Sequence, residues 1–207
     1  MESKKTYVTS DWHTGHSKSI IYDHRPFRDI KHMHEVLINN YNSTVPQDGL
    51  CYFLGDLGWK DSLIDVYPKL HGRKIVILGN HDGTKQKFYD LGFEAVLNGV
   101  MINIGKAIVT MSHCPLRGVF REGPLNQDGE VMKGFKPFEN WHGESRHDKY
   151  SFPDFGQYHL HGHTHKRPGN DVKTYNQWDI GVPGNNYRPV SFSAVEAWIA
   201  IGKKENK

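Results

Sequence analysis

Two cysteines, Cys51 and Cys114, in 207 residues are too few for a disulfide framework. They point to a reducing compartment, so a cytoplasmic protein is expected, with a single structural disulfide as the alternative. No run approaches the roughly 20 apolar residues of a membrane-spanning helix. The opening Met-Glu-Ser-Lys-Lys leads into a short apolar segment, without the long apolar region of a secretory signal. No internal repeat or low-complexity tract is present. Neither sign of charge dominates: 26 Lys and Arg face 23 Asp and Glu, for a formal net charge of +3. That lacks the concentrated basic footprint of a duplex-DNA binder, yet suits an anionic substrate. With 37% hydrophobic and 24% charged residues, a soluble globular protein remains, and the length suits a single domain over 1–207.

What the chain has in excess is histidine, 14 in all. Clustered His, Asp and Asn build metal sites, and scattered ones do not, so position decides. Lys4 to Ser10 reads as a short strand that ends in Asp11-Trp12-His13. Ile30, Met33, Leu37, Ile38 and Tyr41 follow helical spacing, which predicts a helix over 29–42. Leu50 to Leu54 is a continuous apolar run, as in a strand covered on both faces, and ends in Gly55-Asp56. A second helix is predicted over 61–70, with Leu63, Ile64, Tyr67 and Leu70 inward. Lys74 to Leu78 is another buried strand, closing on Gly79-Asn80-His81-Asp82. This alternation argues an α/β domain with parallel pairing.

Strands dominate the second half. Ala95–Ile104 and Lys106–Met111 predict a hairpin turning at Gly105 and closing on Ser112-His113. Tyr158 to Leu160 leads into His161-Gly-His-Thr-His165, and Val172 to Val182 has further strand character. Ser193-Ala-Val-Glu196 is a capping-box pattern opening a C-terminal helix, with Gly202 to Lys207 as a frayed tail. Between lies an insert around 115–157, rich in aromatics (Phe120, Phe135, Phe138, Trp141, Tyr150, Phe152, Phe155) and holding six Lys and Arg. Loops this long without elements are usually functional or disordered, and the aromatic density argues against disorder.

Five segments share one arrangement: a metal-competent residue directly follows an apolar strand. In α/β sheets ligands collect at the carboxyl ends of strands. Asp11, His13, Asp56, Asn80, His113, His163 and His165 therefore make seven candidates able to converge. Carboxylates suit hard cations, and imidazoles suit Mn, Fe, Zn, Co or Ni. A closed zinc site needs about four ligands. Seven suit two cations sharing a carboxylate, a clamp for displacement at phosphorus.

Asp11-x-His13, Gly55-Asp56, Gly79-Asn80-His81-Asp82, His113 and Gly162-His163-x-His165, in this order, resemble the signature of the calcineurin-like metallophosphoesterases. The likeness spans residues 11–165 with every block intact. His16 to Asn42 and Trp178 to Val190 also resemble a small uncharacterised bacterial and phage branch of that superfamily. The resemblance implies an α/β four-layer sandwich of two mixed β-sheets flanked by helices. It implies that Asp11, His13 and His165 bind a first metal, that Asn80, His113 and His163 bind a second, and that Asp56 bridges them. A hydroxide bridging the metals would be the nucleophile. His81 would protonate the leaving oxygen, and Asp82 would orient His81 through a carboxylate–imidazole contact. Manganese leads as the metal, with iron, zinc, nickel, cobalt or magnesium as alternatives.

The expected activity is hydrolysis of a phosphate ester, a diester ahead of a monoester because His81 is present to assist an alkoxide. Alternatives are a phosphatase on the same site, a nuclease, and a non-catalytic protein-binding module on the same fold. The intact ligand set counts against the last. The expected partner is a small phosphorylated or nucleotide-like substrate, with neither membrane nor duplex nucleic acid, and the oligomeric state is not legible. His16 either reaches substrate or is an ordinary loop histidine. Arg25 and Arg28 either meet a substrate phosphate or form a salt-bridged helix entry with Asp23 and Asp29. Arg188 carries the same pair of readings. His161 is expected to be solvated or satisfied in the core. His24, His32, His34, His71, His142 and His147 are expected at the surface. Cys51 reads as a small core residue, and nothing makes Cys114 a ligand although it adjoins one.

Overall fold

The computed structural model describes residues 5–117, 147–166, 172–174 and 176–205. Most of the insert, and with it Phe120, Phe135, Phe138, Trp141 and His142, lies outside the described residues. In chain order the elements are β1 (Thr6–Thr9), α1 (Ser17–Tyr22), α2 (Ile30–Asn42), β2 (Leu50–Phe53), α3 (Lys60–Val66), β3 (Arg73–Ile77) and α4 (Gln86–Asp90). Then follow β4 (Ala95–Leu97), β5 (Val100–Ile104), β6 (Ala107–Met111), β7 (Tyr158–His161), β8 (Gln177–Asp179), β9 (Val190–Ser191) and α5 (Phe192–Glu205).

They make two mixed sheets. The first has the order β4-β3-β2-β1-β9, parallel except where β9 runs against β1. Parallel neighbours need crossover connections. Helices α2, α3 and α4 supply them between successive strands. The second sheet has the order β5-β6-β7-β8, with one antiparallel pair, β5 with β6.

Strand periodicity sorts the apolar runs into two cores. Cys51, Phe53 and Val76 face the helices, joining Met33, Leu37, Tyr41, Leu63, Val66 and Phe88. Val8, Leu54 and Ile77 point the other way, against Val109, Met111, Leu160 and Trp178 of the second sheet. This is why those strands lack polar alternation: both faces are covered. Asp29 caps α2 by accepting the His32 N–H at 2.8 Å, and Met33, Leu37 and Tyr41 form its buried stripe. Helix α5 adds Val195, Trp198 and Ile199 to the inter-sheet core, the Trp198 ring meeting Tyr158 and Trp178. No helix among the described residues is long and apolar enough to cross a membrane.

Several expectations change. The run 95–104 is two strands, not one. The chain breaks at Asn98-Gly99, a turn dipeptide within the run, and passes from the first sheet to the second, a change of sheet that strand character does not reveal. Ile64 points outward, 65% exposed, and Val66 takes the inward place. Among the described residues of 172–182 only β8 is strand, followed by a 3-10 turn over Val182–Asn185. The cap of α5 is Ser191, whose hydroxyl accepts the Ala194 N–H at 3.1 Å. That places the helix start before Ser193, and the helix runs through the supposed tail to Glu205. Helices cover the outer face of the first sheet. On the outer face of the second, Met101 and Ile108 are exposed, and no α-helix lies there among the described residues.

Trp12 joins the fold to the candidate site, since it stands between Asp11 and His13. Its ring, 1% exposed, packs on Tyr41, Phe53 and Tyr67, and its indole N–H donates to Thr9 Oγ1 at 2.9 Å. Replacing Trp12 by Ala is expected to cost about 3–5 kcal/mol, measured by urea unfolding. A change below about 1 kcal/mol would mean that this cluster is not the anchor described.

Candidate metal centre

The sites at the strand ends are built from strained backbone. Asp11 (φ 58°), His13 (49°), Asp56 (54°), His163 (66°) and His165 (47°) all adopt left-handed conformations. Each such non-glycine residue costs on the order of 1–3 kcal/mol and persists only where surroundings enforce it. Here the loops enforce one another. Asp11 N–H donates to Gly55 O at 3.1 Å and His13 N–H to Asp56 O at 3.0 Å. Gly162 lets the second sheet approach, because a Cβ there would fall 2.1 Å from Asp11 Oδ2.

The seven candidate side chains converge in two sets. In the first, His13 Nε2 lies 3.0 Å from His165 Nε2, and Asp11 Oδ1 lies 3.4 Å from His165 Nε2 and 3.9 Å from His13 Nε2. In the second, His113 Nε2 lies 2.9 Å from Asn80 Oδ1 and 3.2 Å from His163 Nδ1. Asp56 Oδ2 stands between the sets, 3.6 Å from His13 Nε2 and 3.5 Å from His113 Nε2. Its other oxygen accepts the His81 N–H at 3.0 Å.

These groups are able to bind a metal ion, and the donor chemistry fits one. Asp11 Oδ1 is buried and accepts no hydrogen bond, whereas buried polar atoms are ordinarily satisfied. Its partner oxygen accepts the His163 N–H at 3.0 Å. The outer nitrogens are engaged: His113 Nδ1 meets Leu54 O at 2.7 Å, and His165 Nδ1 meets Asp23 at 3.1 Å. A carbonyl only accepts, so neutral His113 carries its proton on Nδ1 and presents the Nε2 lone pair inward. Cys114 stands within reach of the second set, but burial, with the charges of Asp56 and Asp11, pushes its thiol up to about 12.

The electrostatics divide the histidines. Burial lowers His13 to about 4 and, helped by the charge of His113, lowers His163 to about 4. Burial opposes the charged forms of His113 and His165 as well. There the carboxylates outweigh it: Asp56 and Asp11 raise His113 to about 9, and Asp11 and Asp23 raise His165 to about 10. Burial would raise Asp11, but its histidine neighbours hold it well below the usual carboxylate range.

Other predicted residues fall differently. His81 is exposed at the rim, its ring 6.1 Å from that of His13. Asp82 does not orient it. Asp82 Oδ2 accepts the N–H groups of Asp56 and Gly79, both at 2.8 Å, and Oδ1 accepts that of Leu57 at 2.9 Å. Both oxygens are therefore spent on the backbone beneath the site. Arg25 is no phosphate ligand either. Its side chain is 0% exposed, paired with Asp23 at 2.9 Å and donating to Asp11 O and Trp12 O at 3.0 and 2.9 Å. Arg188 reaches the end of α2, donating to Ser43 Oγ at 2.9 Å. Arg28 is exposed and its side chain joins none of these contacts. His16 is half-buried, its ring 5.8 Å from that of His13.

His161 is buried against His159, with their rings stacked at 5.8 Å. It does not share a face with His163 and His165, because β7 ends at His161 and left-handed turns follow. Three residues near the site were not among the candidates. Asp23 holds His165. Buried Asp179 accepts from the Thr164 hydroxyl and from Gly181 N–H at 2.8 Å, fixing the loop that carries His163 and His165. His147, expected at the surface, lies with its ring 4.9 Å from that of His163.

No family model matches the chain. It is 36% identical over 92 residues to an uncharacterised protein of Methanocaldococcus jannaschii, a match covering 42% of this chain and 52% of that relative. The chain thus spans about half the length of that relative. It is 29% identical to the gene 66 protein of Mycobacterium phage L5, over 77% of each. A solved structure of a protein of unknown function from Aquifex aeolicus superposes with a TM-score of 0.65 at 20% identity, over 94% of this chain and 98% of that one. The fold is shared with that protein.

The shifted histidines give a pH prediction. Both folded values exceed the free-histidine value of about 6.5. These two histidines therefore contribute stability to the metal-free protein that is fully present below about pH 6.5 and lost as pH rises through 9 to 10, whereas His13 and His163, lowered to about 4, act in the opposite sense as pH falls from 6.5. At pH 7 His113 and His165 hold protons that a cation must displace. Binding of Mn²⁺ is expected to release about two protons, measured by calorimetry in buffers of different ionisation enthalpy. Binding with no proton release would contradict ligation by these two residues.

Proposed function

We propose that this chain is a metal-dependent phosphoesterase of the calcineurin-like kind that hydrolyses a small phosphate ester, a diester ahead of a monoester. The observation that carries the reading is Asp56 Oδ2, placed between two sets of inward-facing donor atoms. Asp11, His13 and His165 would hold one divalent cation, Asn80, His113 and His163 the other, and Asp56 both. Two cations so held would polarise phosphoryl oxygens and acidify a water molecule. Mixed oxygen and imidazole donors suit first-row divalent cations; manganese leads among them through the family resemblance, with iron, zinc, cobalt, nickel and magnesium as alternatives.

The protein's own groups do the rest. His81 stands at the rim with its backbone pinned to Asp56 Oδ1, and it would be the group that passes a proton to the leaving oxygen. His16, beside His13, lies where a substrate would pass. Asp82 acts on the loops rather than on His81. The diester preference rests on His81, which is available to assist an alkoxide leaving group. Arg25 and Arg188 are committed elsewhere, and Arg28 joins no site contact among the described residues.

Turnover of bis-p-nitrophenyl phosphate and p-nitrophenyl phosphate with Mn²⁺, and its loss in EDTA, tests the reading. The diester is expected to be the better substrate. His81→Ala is expected to lower kcat by about 10²–10⁴-fold with metal content, measured by mass spectrometry, unchanged. Asp56→Asn is expected to lose both metal and activity. No turnover of either ester with any of the six metals would sink the proposal.

A further inference from the structure

Trp59 immediately precedes α3, and its side chain is 53% exposed. Single exposed aromatics are ordinary on protein surfaces. This one differs in how firmly it is held and in what it stands beside. Its N–H donates to Thr14 O at 2.9 Å, and Gly58 forms a parallel bridge with Thr14. A Cβ at Gly58 would fall 2.1 Å from Thr14 Oγ1, and its φ is 145°. Only glycine there lets the loop after β2 lie against the loop after β1. The Ser62 hydroxyl sits between the carbonyls of Thr14 and Trp59, at 2.8 and 2.5 Å, and ties the first turn of α3 to the same point.

The indole meets the His16 ring edge-on, centroids 5.6 Å apart at 67°. The His16 ring in turn meets that of His13 at 5.8 Å. Trp59 therefore stands two rings away from a candidate metal ligand, on the rim that also carries His81. The contact with His16 is edge-on, and about half of the Trp59 surface is open to solvent. A rigid, half-open indole beside a phosphate-ester site is suited to a flat, π-rich substituent on that ester. Aromatic stacking on a nucleobase contributes about 1–3 kcal/mol per base and does not depend on hydrogen bonds to the base. A purely aliphatic substituent would gain far less from it.

We propose that Trp59 and His16 form a stacking subsite for a nucleobase, so that the phosphate ester taken by this site is a nucleotidyl ester. The proposal rests on the phosphoesterase reading and names the substrate class for it. The test uses the Mn²⁺-loaded protein and two probes with a common phosphate and sugar, adenosine 5′-monophosphate and ribose 5-phosphate. Calorimetry is expected to find the nucleotide bound at least about 10-fold tighter. Trp59→Ala should remove that difference and leave ribose 5-phosphate binding unchanged, and Trp59→Phe should keep most of it. His16→Ala should weaken the nucleotide more than ribose 5-phosphate.

Equal binding of the two probes by the unaltered protein would overturn the subsite. So would a Trp59→Ala variant that still prefers the nucleotide, or one that weakens both probes alike. The two readings fail separately. If bis-p-nitrophenyl phosphate is hydrolysed while the probes bind equally, the subsite alone falls. If that ester is not hydrolysed while the nucleotide preference depends on Trp59, the subsite stands as a nucleotide-binding feature and the hydrolytic reading falls.

Discussion

The Asp82 carboxylate sits wholly buried under the strand ends and accepts three backbone N–H groups, from Gly79, Asp56 and Leu57. Burial raises its pKa and would disfavour the charge, as does the neighbouring Asp56. The three donors offset part of that penalty. What they achieve is geometric. The end of β3 is sewn to the end of β2, and Asp56 is fixed with one oxygen turned toward both donor sets. From the other side, β1 delivers its own loop through Asp11 N–H to Gly55 O and His13 N–H to Asp56 O. This clamp supports the left-handed backbone at Asp56 and with it the position of its carboxylate.

A second chain of contacts serves the first donor set. Arg25 is buried, holds Asp23, and donates to the carbonyls of Asp11 and Trp12. Asp23 in turn holds His165 Nδ1. One guanidinium therefore orients two candidate ligands, Asp11 through its backbone and His165 through an intervening carboxylate. Removing a buried partner from such a network leaves an unpaired charge, which is costlier than the pair was favourable. The short helix α1 and the turn after it bring Asp23 and Arg25 to this place.

The strand-end residues were legible because each announces itself locally. A buried apolar run followed by Gly-Asp or Gly-Asn-His-Asp needs no knowledge of the rest of the chain. Residues acting across the fold were not legible. Asp23 and His165 are 142 positions apart, and no local pattern links them. Adjacency misled at Asp82: a neighbour of His81 in sequence, it turns beneath the strand ends, toward N–H donors that only the folded β2 loop provides. The run 95–104 misled for a related reason. Strand propensity does not say to which sheet a strand belongs, and the break at Gly99 hands the chain from one to the other. Arg25 was open between phosphate and Asp23, and its complete burial decides for Asp23.

The candidate ligands come from both sheets: Asp11, His13, Asp56 and Asn80 follow strands of the first, and His113, His163 and His165 follow strands of the second. Under the proposed reading a bound cation is thus a rivet across the sandwich as well as a reagent. A ligand that binds only the folded state stabilises it by about 2.7 kcal/mol at 100 times its dissociation constant, a sizeable share of a domain's marginal stability. The unfolded fraction would then rise whenever free metal falls. Metal starvation would act on how much of the protein survives proteolysis before it acted on how fast each molecule works.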